Sequence, residues 1–269
     1  MERLLRGVQA LGDVRGRGGA GFLTQPCARS MVARMARLTL IELYPSPWSE
    51  RLRWALEWKR VPYARRAYQP LAGEEELRRA TGLSTVPVLL ADGEVIGDSD
   101  AALEWLETHH PSPALVPEDP RLRAQVRAWE VAATETLAPA ARLVMIGRWK
   151  ARGMQPFADH FAAKYGWSEA EEARTERLLS ALIADLARAV ASSPYLVGEG
   201  FTRADLTVAC MVAGVIGIPP DELFALEESM RAMFGVLPEE DPAVAPLRAW
   251  RDGIYRRHRG GRVTPDAGA

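Results

Sequence analysis

Residues 85–99 read TVPVLLADGEVIGDS, and this stretch decides the fold. Residues 86–90 form a short apolar run opening on a proline, which predicts a buried strand. Asp92-Gly93 predicts the two-residue turn of a β-hairpin, and residues 94–96 predict the returning strand. Asp98-Ser99 then offers helix-capping side chains ahead of an apolar repeat at helical spacing. The stretch therefore predicts two antiparallel strands followed by a helix.

A strand–helix–strand pattern precedes this hairpin. Residues 38–44 predict a strand ended by prolines, and Ser49 is expected to cap a helix that runs to Lys59. Residues 63–68 predict a second strand, and residues 74–79 predict a short helix. The fold class predicted for residues 38–108 is thus an α+β domain of order βαβ–ββα.

The second half of the chain has helical patterns throughout. Residues 109–120 are rich in proline and predict an extended linker. Within residues 121–259, one long helix is expected over residues 122–150, with Pro139 as its expected kink. Thr202 and Asp205 form a capping box that opens an apolar, buried helix. An all-α domain is therefore expected to follow the α+β domain.

The two ends of the chain are expected to lie outside the fold. Residues 1–37 hold seven arginines beside Glu2 and Asp13, and they lack an apolar period. This pattern favours a disordered leader, or a start at Met31 or Met35, over a targeting segment. Residues 260–269 are expected to be a disordered tail.

Composition excludes several classes of protein. The chain of 269 residues is 48% hydrophobic and carries 34 basic against 35 acidic side chains, values typical of a soluble globular protein. This balance argues against nucleic acid as a partner, and no apolar run is long enough for a membrane span. Cys27 and Cys210 lie too far apart to indicate a disulfide framework, so a cytoplasmic location is expected. The four histidines have no metal-ligand spacing, and no metal is expected.

Val86-Pro87, Asp98-Ser99 and the Thr202–Asp205 box together resemble the cytosolic glutathione transferases, over residues 38–259. The resemblance implies a thioredoxin-like first domain with a cis proline at Pro87. It also implies that the backbone of Val86 binds the cysteinyl part of glutathione, and that Asp98 and Ser99 hold its γ-glutamyl end. A hydroxyl and free amides at a helix N-terminus do attract a carboxylate, and a neighbouring carboxylate attracts an ammonium group.

The stretch Tyr44-Pro45-Ser46-Pro47-Trp48 lies where the family places the residue that activates the thiol. It is most similar to the tau- and omega-like classes, and the resemblance implies Ser46 as this catalytic residue. A hydroxyl that donates to sulfur near the start of a helix lowers the pKa of a thiol. Ser49 is the alternative catalytic residue, and Tyr44 is expected to pack in the core.

The resemblance implies a detoxification enzyme, a homodimer, whose glutathione thiolate attacks a small hydrophobic electrophile. The second substrate is expected between the domains, against Trp129 and Ala133. Two alternatives stay open. One is a glutathione-dependent isomerase or reductase, although Ser46 in place of cysteine argues against reduction. The other is a non-catalytic binding protein of the same fold.

We predict that a chain lacking residues 1–34 keeps the melting temperature and glutathione-dependent activity of the full chain. The reason is that this segment has no apolar period to bury. Thermal melting of both forms is the measurement. A melting temperature lowered by several degrees would show that the leader packs on the body.

Overall fold

The computed structural model describes residues 38–265, so the expected leader, residues 1–37, lies outside the described residues. Four strands form one sheet of order β2-β1-β3-β4. The strands are β1 (Leu38–Glu42), β2 (Ala64–Ala67), β3 (Val88–Ala91) and β4 (Glu94–Gly97). Three helices accompany them, α1 (Pro47–Trp58), α2 (Glu74–Thr81) and α3 (Ser99–His109). The predicted βαβ–ββα order is confirmed.

The register of the sheet brings several chain segments to one edge. Ile41 near the end of β1 lies opposite Val88 at the start of β3, because these strands are antiparallel. Val88 in turn lies opposite Gly97 at the end of β4. The segments that follow β1, precede β3 and follow β4 therefore emerge together, at what we call the Val88 edge.

The hairpin between β3 and β4 turns where the sequence predicts. Ala91 pairs with Glu94, which leaves Asp92 and Gly93 as the two turn residues. Their φ angles are 50° and 92°. Positive φ at both positions matches the right-handed twist of the paired strands, and Asp-Gly adopts it readily. This local preference explains why the hairpin is predictable from sequence.

Helices make up most of the remaining chain. They are α4 (Pro120–Val131), α5 (Ala138–Ala151), α6 (Phe157–Tyr165), α7 (Glu169–Ser192), α8 (Arg203–Met211), α9 (Ala213–Ile216), α10 (Glu228–Arg231) and α11 (Val244–His258). The predicted helical region is confirmed, and among the helices of residues 38–265 none is long and apolar enough to cross a membrane.

The long helix expected over residues 122–150 is interrupted just before Pro139. Helices α4 and α5 are joined by a π-helical turn at Ala132–Leu137. Proline lacks the N–H that would continue the α-helical hydrogen bonds. A wider turn ahead of the proline therefore replaces the kink expected at Pro139 itself.

Helix α8 begins at the predicted capping box. The Thr202 side chain accepts a hydrogen bond at the helix start, and the Asp205 carboxylate accepts from the Thr202 amide at 2.9 Å. Asp205 also accepts from the amide of Leu196 at 2.7 Å. All nine residues of α8 are buried, so this cap fixes a helix that lies in the middle of the helical part.

The proline-rich segment before α4 is held at both sides. Lys59 donates to the carbonyl of Pro113 at 2.9 Å, and the amide of Arg203 donates to the carbonyl of Leu115 at 2.7 Å. Leu115 is fully buried. The segment predicted as a linker is thus packed between α1 and α8.

The described part of the expected disordered tail is ordered. Val263 is buried and pairs with Phe224 in a parallel bridge. Its amide donates to the carbonyl of Leu223 at 2.8 Å, and its carbonyl accepts from the amide of Ala225 at 2.9 Å. The prediction of disorder was wrong for residues 260–265, because the pairing partner lies in a loop distant in sequence. Residues 266–269 lie outside the described residues.

Helix α1 is largely buried and carries charged side chains in the protein interior. Residues 49–56 are all buried, including Glu50, Arg51 and Arg53. Glu50 accepts hydrogen bonds of 2.8 Å from both Arg53 and Arg259. Burial alone favours the neutral acid, but the charges of Arg259 and Arg53 outweigh it and hold the pKa of Glu50 below its ordinary value.

We predict that Glu50→Gln lowers the free energy of unfolding at pH 7 by about 3–5 kcal/mol, because Arg53 and Arg259 lose a buried counter-charge. The pKa of Glu50 is lower in the folded state than in the unfolded state. Its contribution is therefore present above an ordinary value of 4.5 and is lost as the pH falls through the folded pKa. Urea unfolding between pH 7 and pH 3 measures both effects.

The variant should lose less stability than the wild type over the acid part of this range. Exposed Glu176 on α7 provides the matched control, and Glu176→Gln should follow the wild-type profile. Parallel acid profiles for wild type and Glu50→Gln would contradict the assignment.

Candidate active site

The Val88 edge brings the predicted site residues together. Ser46 follows β1, Val86-Pro87 precedes β3, and Asp98-Ser99 follows β4. The pairing of Ile41 with Val88, and of Val88 with Gly97, makes these three segments neighbours. Two helices, α1 and α3, also begin at this edge, so their positive N-terminal ends lie on the same side of the sheet.

Ser46 is the N-cap residue of α1, and Pro47 is the first residue of the helix. Its backbone is extended, with φ −71° and ψ 127°, and its side chain makes no capping hydrogen bond. The half-buried hydroxyl has no hydrogen-bond partner among residues 38–265. A hydroxyl is thus available at the positive end of a helix.

Ser49 does not cap the helix, so that prediction was wrong. Pro47 suits the first helical position, since its fixed φ fits the helix and its missing N–H would have no partner there. The helix therefore begins earlier than expected. Ser49 is fully buried, and its hydroxyl oxygen accepts a hydrogen bond of 3.3 Å from the amide of Leu43. The alternative catalytic residue is engaged in holding the turn after β1.

Tyr44 packs away from the Ser46 hydroxyl. Its own hydroxyl donates to the carbonyl of Ala225 at 2.7 Å, and its ring lies 4.9 Å from that of Phe224. Burial raises the pKa of Tyr44 well above its ordinary value, with the nearby Arg53 charge opposing the shift. Tyr44 therefore joins β1 to the helical part as a neutral phenol.

The peptide bond between Val86 and Pro87 is cis, as the resemblance implies. Pro87 is buried and Val86 is half-buried. The loop before them is held on two sides. Leu83 packs so closely on Gly97 that a Cβ there would lie 2.1 Å from its Cδ1, and Lys164 of α6 donates to the carbonyl of Ser84 at 2.7 Å.

Asp98 and Ser99 form the start of α3. Asp98 is exposed, and its carboxylate accepts from the amide of Asp100 at 2.6 Å, which makes it the N-cap. Its φ of 146° lies in a region that non-glycine residues rarely adopt, and such residues concentrate at functional sites. Ser99 is buried, and its hydroxyl accepts from Arg51 at 3.4 Å.

Sequence analysis missed the charged group behind Ser99. Arg51 is fully buried, pairs with Asp100 at 2.6 Å and lies 3.5 Å from Glu130. The two carboxylates compensate its charge, so it positions Ser99 without making the site strongly positive. No spacing in the sequence links Arg51 with residues on α3 and α4.

The surface facing this edge from the helical part differs from the one expected. Trp129 is half-buried and packs against Val126 and Val197, and Ala133 is buried. Arg142 of α5 instead lies over the ring of Trp48, with its Cζ 4.2 Å from the ring centroid. It also lies 4.0 Å from the ring centroid of Tyr165. Trp48 follows Ser46 closely, which places this stack beside the site.

Two recesses in the described part of the chain lie away from the predicted site residues. One of about 260 Å³ lies between β2 and α2, and one of about 100 Å³ lies beneath residues 260–264. The predicted site residues line neither of these two recesses. Within residues 38–265 no group of histidine, cysteine or acidic side chains has the arrangement of a metal site.

Comparison with known families gives a match over the first domain. Residues 45–109 match the model of the glutathione S-transferase N-terminal domain. A probable maleylacetoacetate isomerase of Caenorhabditis elegans is 28% identical over 64% of this chain and 76% of that protein. A probable glutathione S-transferase of Solanum tuberosum is 33% identical over 35% of this chain and 44% of that protein. The chain thus spans less than half of the potato relative it matches.

Solved structures extend the likeness of fold to most of the chain. A glutathione S-transferase of Methylobacterium radiotolerans, in complex with glutathione sulfonate, superposes with a TM-score of 0.61 at 23% identity. The alignment covers 86% of this chain and 97% of that one. The theta class glutathione S-transferase of Xanthomonas axonopodis pv. citri, with glutathione bound, gives 0.60 at 20% identity and covers 86% of this chain and 100% of that one.

The thioredoxin-like sheet with its cis proline, the helical part and the match over residues 45–109 agree with one another. Residues 45–109 are therefore a glutathione S-transferase N-terminal domain, and residues 38–265 have the fold of the solved glutathione S-transferase structures.

Proposed function

We propose that this chain is a glutathione transferase that binds glutathione at the Val88 edge and activates its thiol with Ser46. One observation carries the proposal. The hydroxyl of Ser46 has no partner among residues 38–265 and lies at the N-terminal end of α1, on the same edge as Val86-Pro87 and the start of α3. A free donor at a positive helix end suits an anionic sulfur.

In this proposal the backbone of Val86 binds the cysteinyl part of glutathione, beside Pro87. The hydroxyl of Ser99 and the free amides of the first turn of α3 hold the γ-glutamyl carboxylate. The exposed carboxylate of Asp98 attracts the ammonium group of the same end. Solved relatives with glutathione or glutathione sulfonate bound support this choice of ligand.

Catalysis follows from ionisation of the thiol. A free thiol has a pKa of about 8.5 and is mostly protonated at neutral pH. Donation from Ser46 and the dipole of α1 stabilise the thiolate, and each unit by which the pKa falls represents about 1.4 kcal/mol. The proton passes to solvent, the sulfur forms a bond to the electrophilic carbon, and the leaving group departs with its electron pair. Proximity supplies the rest of the acceleration.

A second candidate is glutathione-dependent isomerisation, which the names of several relatives favour. In that reaction a thiolate adds to a double bond, the new single bond rotates, and the thiolate is eliminated. Ser46 serves both reactions, since each needs the same thiolate. Turnover of maleylacetoacetate with no net consumption of glutathione would identify the isomerase. Binding of glutathione without turnover of any electrophile would identify the non-catalytic alternative.

We also propose that the protein is a homodimer of the cytoplasm. The match of residues 45–109 to the glutathione S-transferase N-terminal domain supports both statements. Sedimentation equilibrium of the full chain tests the first, and a single-chain mass at micromolar concentration would contradict it. Cell fractionation tests the second.

We predict that Ser46→Ala raises the pKa of bound glutathione towards that of the free thiol and lowers turnover by roughly 10–100-fold, because the sulfur loses its hydrogen-bond donor. Thiolate absorbance of the glutathione complex against pH gives the pKa. Conjugation of an aryl halide gives the turnover.

Ser180→Ala on the exposed face of α7 is the matched control and should leave both quantities unchanged. An unaltered titration in Ser46→Ala would contradict the role of Ser46. Failure of the wild-type chain to bind glutathione in a calorimetric titration would overturn the proposed function as a whole.

We predict a different signature for Ser49→Ala. It should lower the free energy of unfolding by about 1–2 kcal/mol, because the amide of Leu43 loses its acceptor in a buried turn. The pKa of bound glutathione should stay at its wild-type value in the folded fraction. Urea unfolding and the same absorbance titration measure the two effects, and a raised thiol pKa at full stability would assign the activation to Ser49.

A further inference from the structure

Arg142 lies between two aromatic rings on the helical side of the site. Its guanidinium carbon is 4.2 Å from the centroid of Trp48 and 4.0 Å from that of Tyr165. Such contacts attract a cation electrostatically and limit its conformational freedom. The side chain of Arg142 is half-buried, so solvent and a ligand still reach it.

The rings do not satisfy the hydrogen bonds of this guanidinium. An arginine side chain carries five N–H donors, and aromatic faces engage its charge rather than those donors. Within residues 38–265, Arg142 has no hydrogen bond or ion pair with a carboxylate or carbonyl. Burial lowers the pKa of Arg142, with Tyr165 as a weaker opposing influence and no carboxylate as a contributor.

Other buried or half-buried arginines of the fold do have such partners. Arg51 pairs with Asp100, and Arg259 pairs with Glu50. Arg148, on the same helix as Arg142, donates to the carbonyls of Gly235 and Val236. The fold thus provides counter-groups for its cations, and Arg142 keeps its donors unused.

The position of Arg142 connects it with the reacting sulfur. Trp48 lies in the first turn of α1, which Ser46 caps. Tyr165 ends α6, and its neighbour Lys164 binds the carbonyl of Ser84 just before Val86. Arg142 therefore contacts the first turn of α1 directly and is linked through α6 to the loop before Val86.

We propose that Arg142 binds the carboxylate of the second substrate, so that the natural electrophile is an unsaturated or aromatic organic acid rather than a neutral hydrophobic compound. The proposal rests on the proposed function of the Val88 edge. A guanidinium in contact with two ring faces keeps its N–H donors for another group, and a carboxylate can accept two of them in parallel. Arg142 is then a specificity-determining residue.

The test compares 4-chloro-3-nitrobenzoate with its neutral methyl ester as probes. In both, the thiolate forms a bond to the ring carbon that carries chlorine, and chloride leaves with the bonding electron pair. Arg142→Gln should lower kcat/KM for the acid by roughly 10–100-fold, mainly through KM, and for the ester by less than about threefold. Arg142→Lys should recover part of the loss, since it keeps the charge but lacks the planar pair of donors.

Arg177→Gln, an exposed arginine on α7, gives the same change of net charge far from the site and should leave both kcat/KM values at wild-type level. Equal losses for acid and ester in Arg142→Gln would show that Arg142 only joins α5 to Trp48, and would overturn the proposal. Unchanged values for both probes would overturn it as well.

A binding measurement separates this proposal from the proposed function. Calorimetric titration of the full chain with 3-nitrobenzoate and with methyl 3-nitrobenzoate needs no glutathione. Preferential binding of the acid that is lost in Arg142→Gln supports the carboxylate site, even if glutathione itself fails to bind. Binding of glutathione together with equal affinity for acid and ester would uphold the proposed function and refute the role of Arg142.

Discussion

Glu50, Arg51 and Arg53 lie on a helix whose residues 49–56 are all buried, and each charge needs a counter-charge because an isolated ion in a protein interior costs several kcal/mol. The partners come from distant parts of the chain. Arg259 follows the last long helix, and Glu130 ends the first helix of the helical part. Neutralising α1 therefore requires both parts of the chain to assemble around it, which links the two structurally distinct halves into one fold.

The same helix supplies the site. Its N-terminal end lies at the Val88 edge, where antiparallel pairing also delivers Val86-Pro87 and the start of α3. In the first turn of the helix, Ser49 accepts a hydrogen bond from the turn after β1, and Glu50 forms the ion pair with Arg259. Ser46 precedes these two residues as the N-cap, and its hydroxyl makes no capping hydrogen bond. The buried Ser49 is thus used in the fold, whereas the half-buried Ser46 leaves its hydroxyl available for the proposed reaction.

Two residues of the helical part, Lys164 and Arg142, contact the first domain beside the Val88 edge. Lys164 holds the loop before Val86, while Arg142 lies between Trp48 of the first domain and Tyr165 of α6. Within residues 38–265, the N–H donors of Arg142 have no hydrogen-bond acceptor. In the proposed function, backbone and serine groups of the Val88 edge bind glutathione, and Arg142 of the helical part selects the second substrate.

Local signals in the sequence determined the elements with strong chemical preferences. Asp92-Gly93 specified the hairpin, Thr202 and Asp205 specified the start of α8, and apolar periodicity specified most helices, because each depends on residues close in the chain. The placement of Val86-Pro87 and Asp98-Ser99 at strand ends was also predictable, and the register of the sheet brings them to one edge. Their catalytic and binding roles stay predictions.

Features that depend on contacts between residues far apart in the chain were decided only by the tertiary structure. It placed the start of α1 at Pro47 with Ser46 as its N-cap instead of Ser49, paired Val263 with Phe224 in a segment expected to be disordered, and packed Trp129 against Val126 and Val197. It also brought Arg142 to Trp48, which no spacing in the sequence indicates. The physical reason is that burial and counter-charges are set by packing between segments remote in the chain, whereas caps and turns are set by neighbouring residues.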